Sequence, residues 1–305
     1  MAGAPVVVLA GGTGGAKLAR GMLDVAGEEL VVLANTGDDV EVHGGHVSPD
    51  PDLVLYWLAD RIDERGWGLA DDTFHVMGAL RDLGEDVWFD LGDRDLAACL
   101  VRARRLAQGA SLTEALAELA AALDVHARVL PMSDAPVRTR VRHADRWWDF
   151  QEYMIRARGA GPVQDVQFSG ADEAAPTPEV LEAVAAARAI VVGPSNPVIS
   201  IGPILALPGM REALHAAPAP VVAVSPIVGG AVVKGPTEPF LEWSGHPLSA
   251  EGIARHYEGV IDGLVADERT ELLPVLETDT LMADAAGRRR VAQETLDFAE
   301  ALAGR

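Results

Sequence analysis

The sequence has one cysteine, Cys99, so no disulfide can form within the chain. That excludes a disulfide framework and fits a reducing, cytoplasmic setting. Lysine is almost missing as well. Only Lys17 and Lys234 occur, against 46 acidic residues, and the net charge is −21. The preference for arginine reads as compositional and assigns no function by itself. A nucleic-acid binder sets clustered Lys and Arg against phosphates, so this charge balance argues against nucleic-acid partners. No apolar run approaches the roughly 20 residues that a membrane helix needs, so no membrane partner is expected. The opening MAGAPVVVLAGGTGG lacks a basic leader segment and predicts a strand and a loop, not a signal peptide. No G-x-S-x-G elbow is present. His43 and His46 have no third ligand nearby, which argues against a zinc site.

The chain has 305 residues, 49% of them apolar and 23% charged, as in an ordinary globular protein with a sizeable core. Its acidity keeps the surface soluble. It also means that a phosphorylated substrate must find a local positive field, from a few Arg or Lys, helix N-termini or a metal.

Val6–Leu9, the glycines from Gly11 and the helical pattern from Ala16 to Val25 predict strand, turn and helix. Leu30–Ala34 is a second strand. Asp52–Arg65 predicts an amphipathic helix with Leu55, Leu58 and Ile62 on one face. Asp71–Leu83 is another, capped by Asp71 or Asp72. Ser111-Leu-Thr-Glu114 is a capping box that opens a helix to Leu123. Arg138–His143, Trp147–Ile155 and Val163–Phe168 alternate like strands of a small, partly antiparallel sheet. Ile190–Gly193 and Val221–Ser225 are apolar, β-branched runs suited to buried parallel strands. Glu251–Gly259 and Arg289–Leu302 are helical. The expected fold is a single α/β domain over residues 1–305. Its Rossmann-like, mostly parallel sheet is flanked by helices, with an antiparallel excursion near 135–170.

Four segments carry candidate chemistry. Gly11-Gly12-Thr13-Gly14-Gly15-Ala16-Lys17 lets backbone approach a phosphate at a helix N-terminus, or is only a tight strand-to-helix turn. It fits neither the dinucleotide fingerprint nor a Walker A loop. Asp38, Asp39, Asp50 and Asp52 follow the second strand, on the sheet edge where open α/β folds bind ligands. Such oxygens suit Mg²⁺, although Asp50 or Asp52 could instead cap the next helix. Arg94 stands between Asp93 and Asp95, as a surface ion pair or as a guanidinium fixed for a phosphate or carboxylate. Gly193-Pro194-Ser195-Asn196-Pro197 is a rigid loop presenting Ser195 and Asn196, side chains able to read the edge of a base. Ser225-Pro226 ends the next strand in the same way. Cys99 reads as a small core residue. Trp147 and Trp148 read as core packing, or as a stacking surface for a flat ring.

Together, GGTGGAKL, NTGDD, SPD, DDTF, LGDRD, GASLTEA, LPMSDAPVRT, GPSNPVISIGPIL and SPIVGG resemble the 2-phospho-L-lactate transferase family, including its phosphoenolpyruvate-transferase members. The resemblance runs from Val6 to Arg269. It implies transfer of a phospholactyl or phosphoenolpyruvyl group from a guanosine-diphosphate-linked donor to the ribityl hydroxyl of the deazaflavin Fo. GMP would leave, and the product would be F-420-0 or its dehydro form. It further implies Mg²⁺ as cofactor and a homodimer. Phosphoryl-centre substitution needs positioning and charge neutralisation more than a covalent nucleophile, which fits the absence of a triad.

The residues then take expected roles. Asp38, Asp39 and Asp50 are the pool for Mg²⁺ and for deprotonating the hydroxyl. Asp52 and Arg94 are placed at Fo by the resemblance. Gly11, Gly12, Thr13, Gly14, Gly15 and Lys17, with Ser195 and Asn196, face the nucleotide and its phosphates. Two rival readings stand beside this one. One is a non-enzymatic nucleotide-sugar-binding regulator of the same superfamily. The other is an NAD-dependent oxidoreductase, which the missing fingerprint disfavours.

Overall fold

Val6–Ala10 (β1) is buried along its whole length, because its neighbours cover both faces. Val6, Val8 and Ala10 pack into one hydrophobic layer, while Val7 and Leu9 pack into the opposite one. This alternation is the period of two that a strand imposes on its side chains. The computed structural model describes residues 3–304; Met1, Ala2 and Arg305, the ends of the expected unit, lie outside them.

The central sheet has seven strands. After β1 they are β2 (Leu30–Ala34), β3 (Arg128–Pro131), β4 (Ala189–Val192), β5 (Val221–Val224), β6 (Gly263–Ala266) and β7 (Val275–Glu277). In space the order is β7-β6-β5-β4-β1-β2-β3, and every pairing is parallel. Val6 faces Leu30 on one side and Ala189 on the other. The strand order therefore reverses between β1 and β4. In an open α/β sheet, the carboxyl ends of the strands flanking that reversal frame a crevice.

Helices cover both faces. α1 (Gly12–Ala26), α2 (Pro49–Leu58) and the long α4 (Ala285–Ala303) lie on one side. Helices Pro178–Ala186, Met210–Ala216 and Ala250–His256 lie on the other. Among the described residues, three small antiparallel sheets are appended. The largest orders Arg146–Asp149, Arg138–His143 and Asp165–Ser169, within the excursion expected near 135–170.

Several local expectations need correction. The helix predicted over Asp52–Arg65 is instead Pro49–Leu58. It stops because Asp60 takes a positive φ of 52° and the chain turns into the loop bridged by Ile62 and Leu69. The helix predicted over Asp71–Leu83 is His75–Asp82, and neither Asp71 nor Asp72 caps it. Its first N–H groups, from His75 and Val76, donate to Asp93. In return Asp72 accepts from Arg94 and Asp95 at the start of α3 (Asp93–Ala107). Two helices thus cap each other through space, a pattern that no local spacing signals. Trp147–Ile155 is a strand only to Asp149, and Phe150–Ile155 is helical. The capping box at Ser111 is present in both halves. Cys99 is buried in α3 with Val47, Met77 and Leu96, as a core residue.

Candidate active site

A cleft of about 960 Å³ opens at the carboxyl edge of the sheet, over the β1–β4 reversal. The loops after β1, β2, β4 and β5 all reach it. The glycine loop and the Pro194-Ser195-Asn196 loop, distant in sequence, touch there. Gly11 N–H donates to Ser195 Oγ at 3.3 Å. A Cβ on Gly14 would sit 2.0 Å from the Pro194 carbonyl oxygen, so only glycine fits. Gly12 has a φ of +62°, which also favours glycine. Part of the glycine signature therefore serves loop-to-loop packing. Asn196 Oδ1 accepts from the N–H groups of Val198 and Ile199, capping the wide π-helical turn Pro197–Ile201. Its Nδ2 is buried beside the cleft without a partner among the described residues, a donor left for a ligand to satisfy.

Asp50 lies at the floor, on the first turn of α2. It caps α1 rather than its own helix. Oδ1 accepts from Gly12 N–H at 2.7 Å, and Oδ2 accepts from Asn35 Nδ2 at 2.9 Å. Burial pushes its pKa up to about 6, against the opposing pull of those two donors. The first N–H of α1 thus faces a carboxylate already. Asp38 is also buried at the cleft, and its Oδ1 has no hydrogen-bond partner among the described residues. Burial, and next the charge of Asp50, raises its pKa well above the usual carboxylate range. Asp39 is engaged elsewhere. Its oxygens accept from Ser48 Oγ at 2.8 Å and meet His46 Nε2 at 3.0 Å, which ties the 36–48 loop together.

Asp52, two residues further along α2, has its own counter-ion. It pairs with Arg102 of α3, whose side chain is wholly buried and also donates to the His46 carbonyl at 2.8 Å. Behind this pair, Asp95 accepts from Tyr56 hydroxyl at 2.8 Å. Burial, and then the neighbouring Asp52, pushes Asp95 up to about 7. Among the described residues, Asp52, Asp95 and Cys99 are the one trio of potential ligand side chains lying within 4.8 Å of one another. Arg102 already supplies the positive charge there, and burial drives the Cys99 thiol upward, away from the thiolate a metal needs.

Arg94 departs from its expected setting. It is exposed and bonds neither Asp93 nor Asp95; its Nη1 reaches only the Ala70 carbonyl, at 3.4 Å. Asp93 and Asp95 are occupied by the reciprocal cap and by Tyr56. Arg94 lies next to Asp95, which lines the cleft. Trp147 and Trp148 lie on the antiparallel sheet, under Arg140 and Arg146. The aromatic wall of the cleft comes instead from Trp67, Phe74, Trp88 and Phe89.

Arg102, Asp95 and this wall were missed, because each becomes significant only through neighbours remote in sequence. Lys234 was missed for another reason. Its rarity was visible, but not that it would share the cleft with Lys17.

Residues 6–296 match the family described as 2-phospho-L-lactate transferase CofD. The chain is 46% identical over 275 residues to a phosphoenolpyruvate transferase of Kitasatospora aureofaciens, covering 87% of this chain and 86% of that one. It is 42% identical over 266 residues to a 2-phospho-L-lactate transferase of Methanosarcina mazei, covering 87% of each. Among solved structures, it resembles a UPF0052-family protein of Bacillus halodurans at 20% identity and a TM-score of 0.59, over 89% of this chain and 83% of that one. That likeness concerns the fold.

Proposed function

The chain belongs to the 2-phospho-L-lactate transferase family, and from that premise we propose that it transfers a phospholactyl or phosphoenolpyruvyl group to a deazaflavin alcohol in coenzyme F-420 biosynthesis. The donor is a guanosine-diphosphate-linked three-carbon acid, and the acceptor is the ribityl hydroxyl of Fo. The hydroxyl oxygen bonds to the phosphorus that carries the acid. The bond from that phosphorus to the bridging oxygen breaks, and GMP leaves with the electron pair. No group is oxidised or reduced. Assembly as a homodimer and a cytoplasmic location belong to the same reading.

The observation that carries this reading is the pair of buried carboxylates, Asp38 and Asp50, at the floor of the sheet-edge cleft. Neither forms an ion pair with a basic side chain among the described residues. Two desolvated acids beside a diphosphate would repel it, so the arrangement calls for a cation. The donor set fits Mg²⁺, which binds through one or two carboxylates plus substrate phosphates. Asp50, together with the substrate phosphates, would hold it, and it would neutralise phosphate charge, leaving Asp38 free beside it. Asp39 supports them by fixing their loop through Ser48 and His46.

The chain's own groups do the rest. Gly12 N–H and the Asn35 amide fix the Asp50 carboxylate in one orientation. Asp38, with an unpartnered oxygen and a raised proton affinity, accepts the hydroxyl proton as general base. The unpartnered Asn196 amide and Ser195 read the nucleotide at the β4 end. The Trp67, Phe74, Trp88 and Phe89 wall takes the flat ring of Fo, since aromatic faces stack on extended π systems, and Arg94, next in sequence to the lining residue Asp95, is the basic group we assign to Fo.

The test is direct. Purified protein is incubated with Fo, Mg²⁺ and each guanosine-diphosphate-linked acid in turn, and GMP and the product are followed by chromatography and mass spectrometry. Release of GMP in step with a phospholactyl or phosphoenolpyruvyl adduct of Fo is expected. Tight binding of a UDP-sugar with no turnover of Fo would replace the transferase with a regulator.

A further inference from the structure

The chain's two lysines meet at the same cleft, one in α1 and one on the loop after the hairpin Ile227–Val228/Ala231–Val232. Lys17 is half-buried. Its Nζ lies 3.5 Å from the Met282 carbonyl oxygen and 5.8 Å from the Trp57 ring centre. Arg288 of α4 approaches the same ring, at 5.0 Å. Lys234 stands at the mouth, with its Nζ donating to the Arg65 carbonyl at 2.9 Å. A Cβ on Gly66 would meet Thr13 Cγ2, Trp57 and Lys234 Nζ, all within 3.9 Å. Gly66 is therefore flanked by Lys234 Nζ and by Thr13 of the first turn of α1. Lys234 and Arg288 press on Lys17 closely enough that, after burial, their charges are what lower its pKa.

This cluster is unusual for its protein. In a chain of net charge −21, no carboxylate forms an ion pair with Lys17, Lys234 or Arg288 among the described residues. Asp63 is the nearest acid to influence Lys234, and its carboxylate is already paired with Arg65. Lys17 is held against two further cations with no ion-paired carboxylate among the described residues, at a cost that an anion would remove. The N-terminus of α1 cannot serve alone, because Asp50 occupies its first N–H.

We propose that Lys17 and Lys234, backed by Arg288, form an anion clamp that selects a diphosphate over a single phosphate, with Lys234 contacting the phosphate group farther from α1. The identity of the anion as a nucleoside diphosphate ester rests on the transferase reading, but the clamp itself rests on the cation geometry. Two neighbouring ammonium groups can each take one phosphate of a diphosphate, whereas orthophosphate can satisfy only part of the cluster.

With only two lysines in the chain, amine acetylation read by mass spectrometry reports each separately. The probe is inorganic pyrophosphate in EDTA, so that no divalent ion bridges it to the acidic floor. Saturating pyrophosphate should slow acetylation of both Lys17 and Lys234 by about tenfold, and equal orthophosphate by clearly less. By calorimetry, Lys234→Met should weaken pyrophosphate binding about tenfold and shrink its margin over orthophosphate. Lys234→Arg should stay within about threefold of the parent, and the distant Arg269→Ala should change nothing. Acetylation rates indifferent to pyrophosphate, or equal binding by Lys234→Met and parent, would overturn the clamp. If the parent transfers no acid to Fo yet pyrophosphate protects both lysines, the transferase reading fails and the clamp stands. If transfer proceeds and neither lysine is protected, the reverse holds.

Discussion

Asp50 and Asp52 sit on the same helix, two residues apart, and are equally buried, yet their surroundings are opposite. Asp52 also borders the cleft, but it pairs with a wholly buried guanidinium, so the protein itself supplies its counter-charge. Asp50 faces the cleft with Asp38 and has only neutral N–H donors. A buried ion pair is costly to break, because removing one partner strands the other. An unmatched carboxylate cluster is costly to keep, because desolvation favours the neutral acid. The first region is built to persist unchanged. The second is built to be completed by something that arrives.

The largest effect separating the two should come from Asp50→Asn. Turnover should fall by about a thousandfold or more, measured as GMP release, because a carboxylate ligand of the ion that would neutralise the reacting phosphate is lost. The fold should survive. The variant sheds the cost of burying a charge but leaves one donor, Gly12 N–H or the Asn35 amide, facing an amide instead of an oxygen, and these terms are of similar size. A variant that keeps near-normal turnover would erase the contrast.

Arg102→Met should behave in the opposite sense, as a stability lesion. Unfolding in urea should show a loss of about 3–5 kcal/mol, and adding Asp52→Asn should restore part of it. A loss below about 1 kcal/mol would mean that Asp52 does not depend on its partner.

The pH dependence sharpens the same comparison. Asp50 has an ordinary pKa of 3.8 when unfolded and about 6 in the fold, so the folded state holds the proton more tightly. That contribution to stability is fully present below about pH 4 and is lost as pH rises through 6. The loss amounts to roughly 3 kcal/mol by neutral pH in metal-free protein. Asp95, pushed up to about 7, adds a slope of the same sign slightly higher. Saturating Mg²⁺ should raise the melting temperature more at pH 7.5 than at pH 5, and Asp50→Asn should remove that difference. Equal shifts at both pH values would place the ion away from Asp50.

The smallest effect should be at Arg94. Its guanidinium is not clamped by Asp93 or Asp95, so Arg94→Lys should raise the KM for Fo only about two- to fivefold, with kcat and melting temperature nearly unchanged. A collapse of kcat would give Arg94 a role at the reacting atoms that its exposed position does not suggest.

Much of this was legible along the chain. Val6–Leu9 and Leu30–Ala34 announced strands, and Ile190–Gly193 and Val221–Ser225 announced buried parallel ones through their β-branched runs, close to the observed Val6–Ala10, Leu30–Ala34, Ala189–Val192 and Val221–Val224. The glycine loop and the Gly193-Pro194-Ser195-Asn196 loop announced turns at strand ends. The capping box at Ser111 worked because all its contacts lie within one helical turn. Such signals survive because strand periodicity, turn chemistry and helix capping are short-range.

What only the tertiary structure decided is long-range. Asp93 and Asp72 exchange helix termini across the 72–93 segment, so the aspartates flanking Arg94 turn away from it. Asp50 leaves its own helix to cap α1, and Arg102 reaches back to Asp52 from α3. Lys17 and Lys234 converge from opposite ends of the chain. The sequence by itself determined which residues could bear charge and where the chain would turn. Packing decided which of those charges would be matched inside the protein and which left open to a ligand. Coulomb and desolvation energies depend on distance and burial, and neither quantity can be read from spacing along the chain.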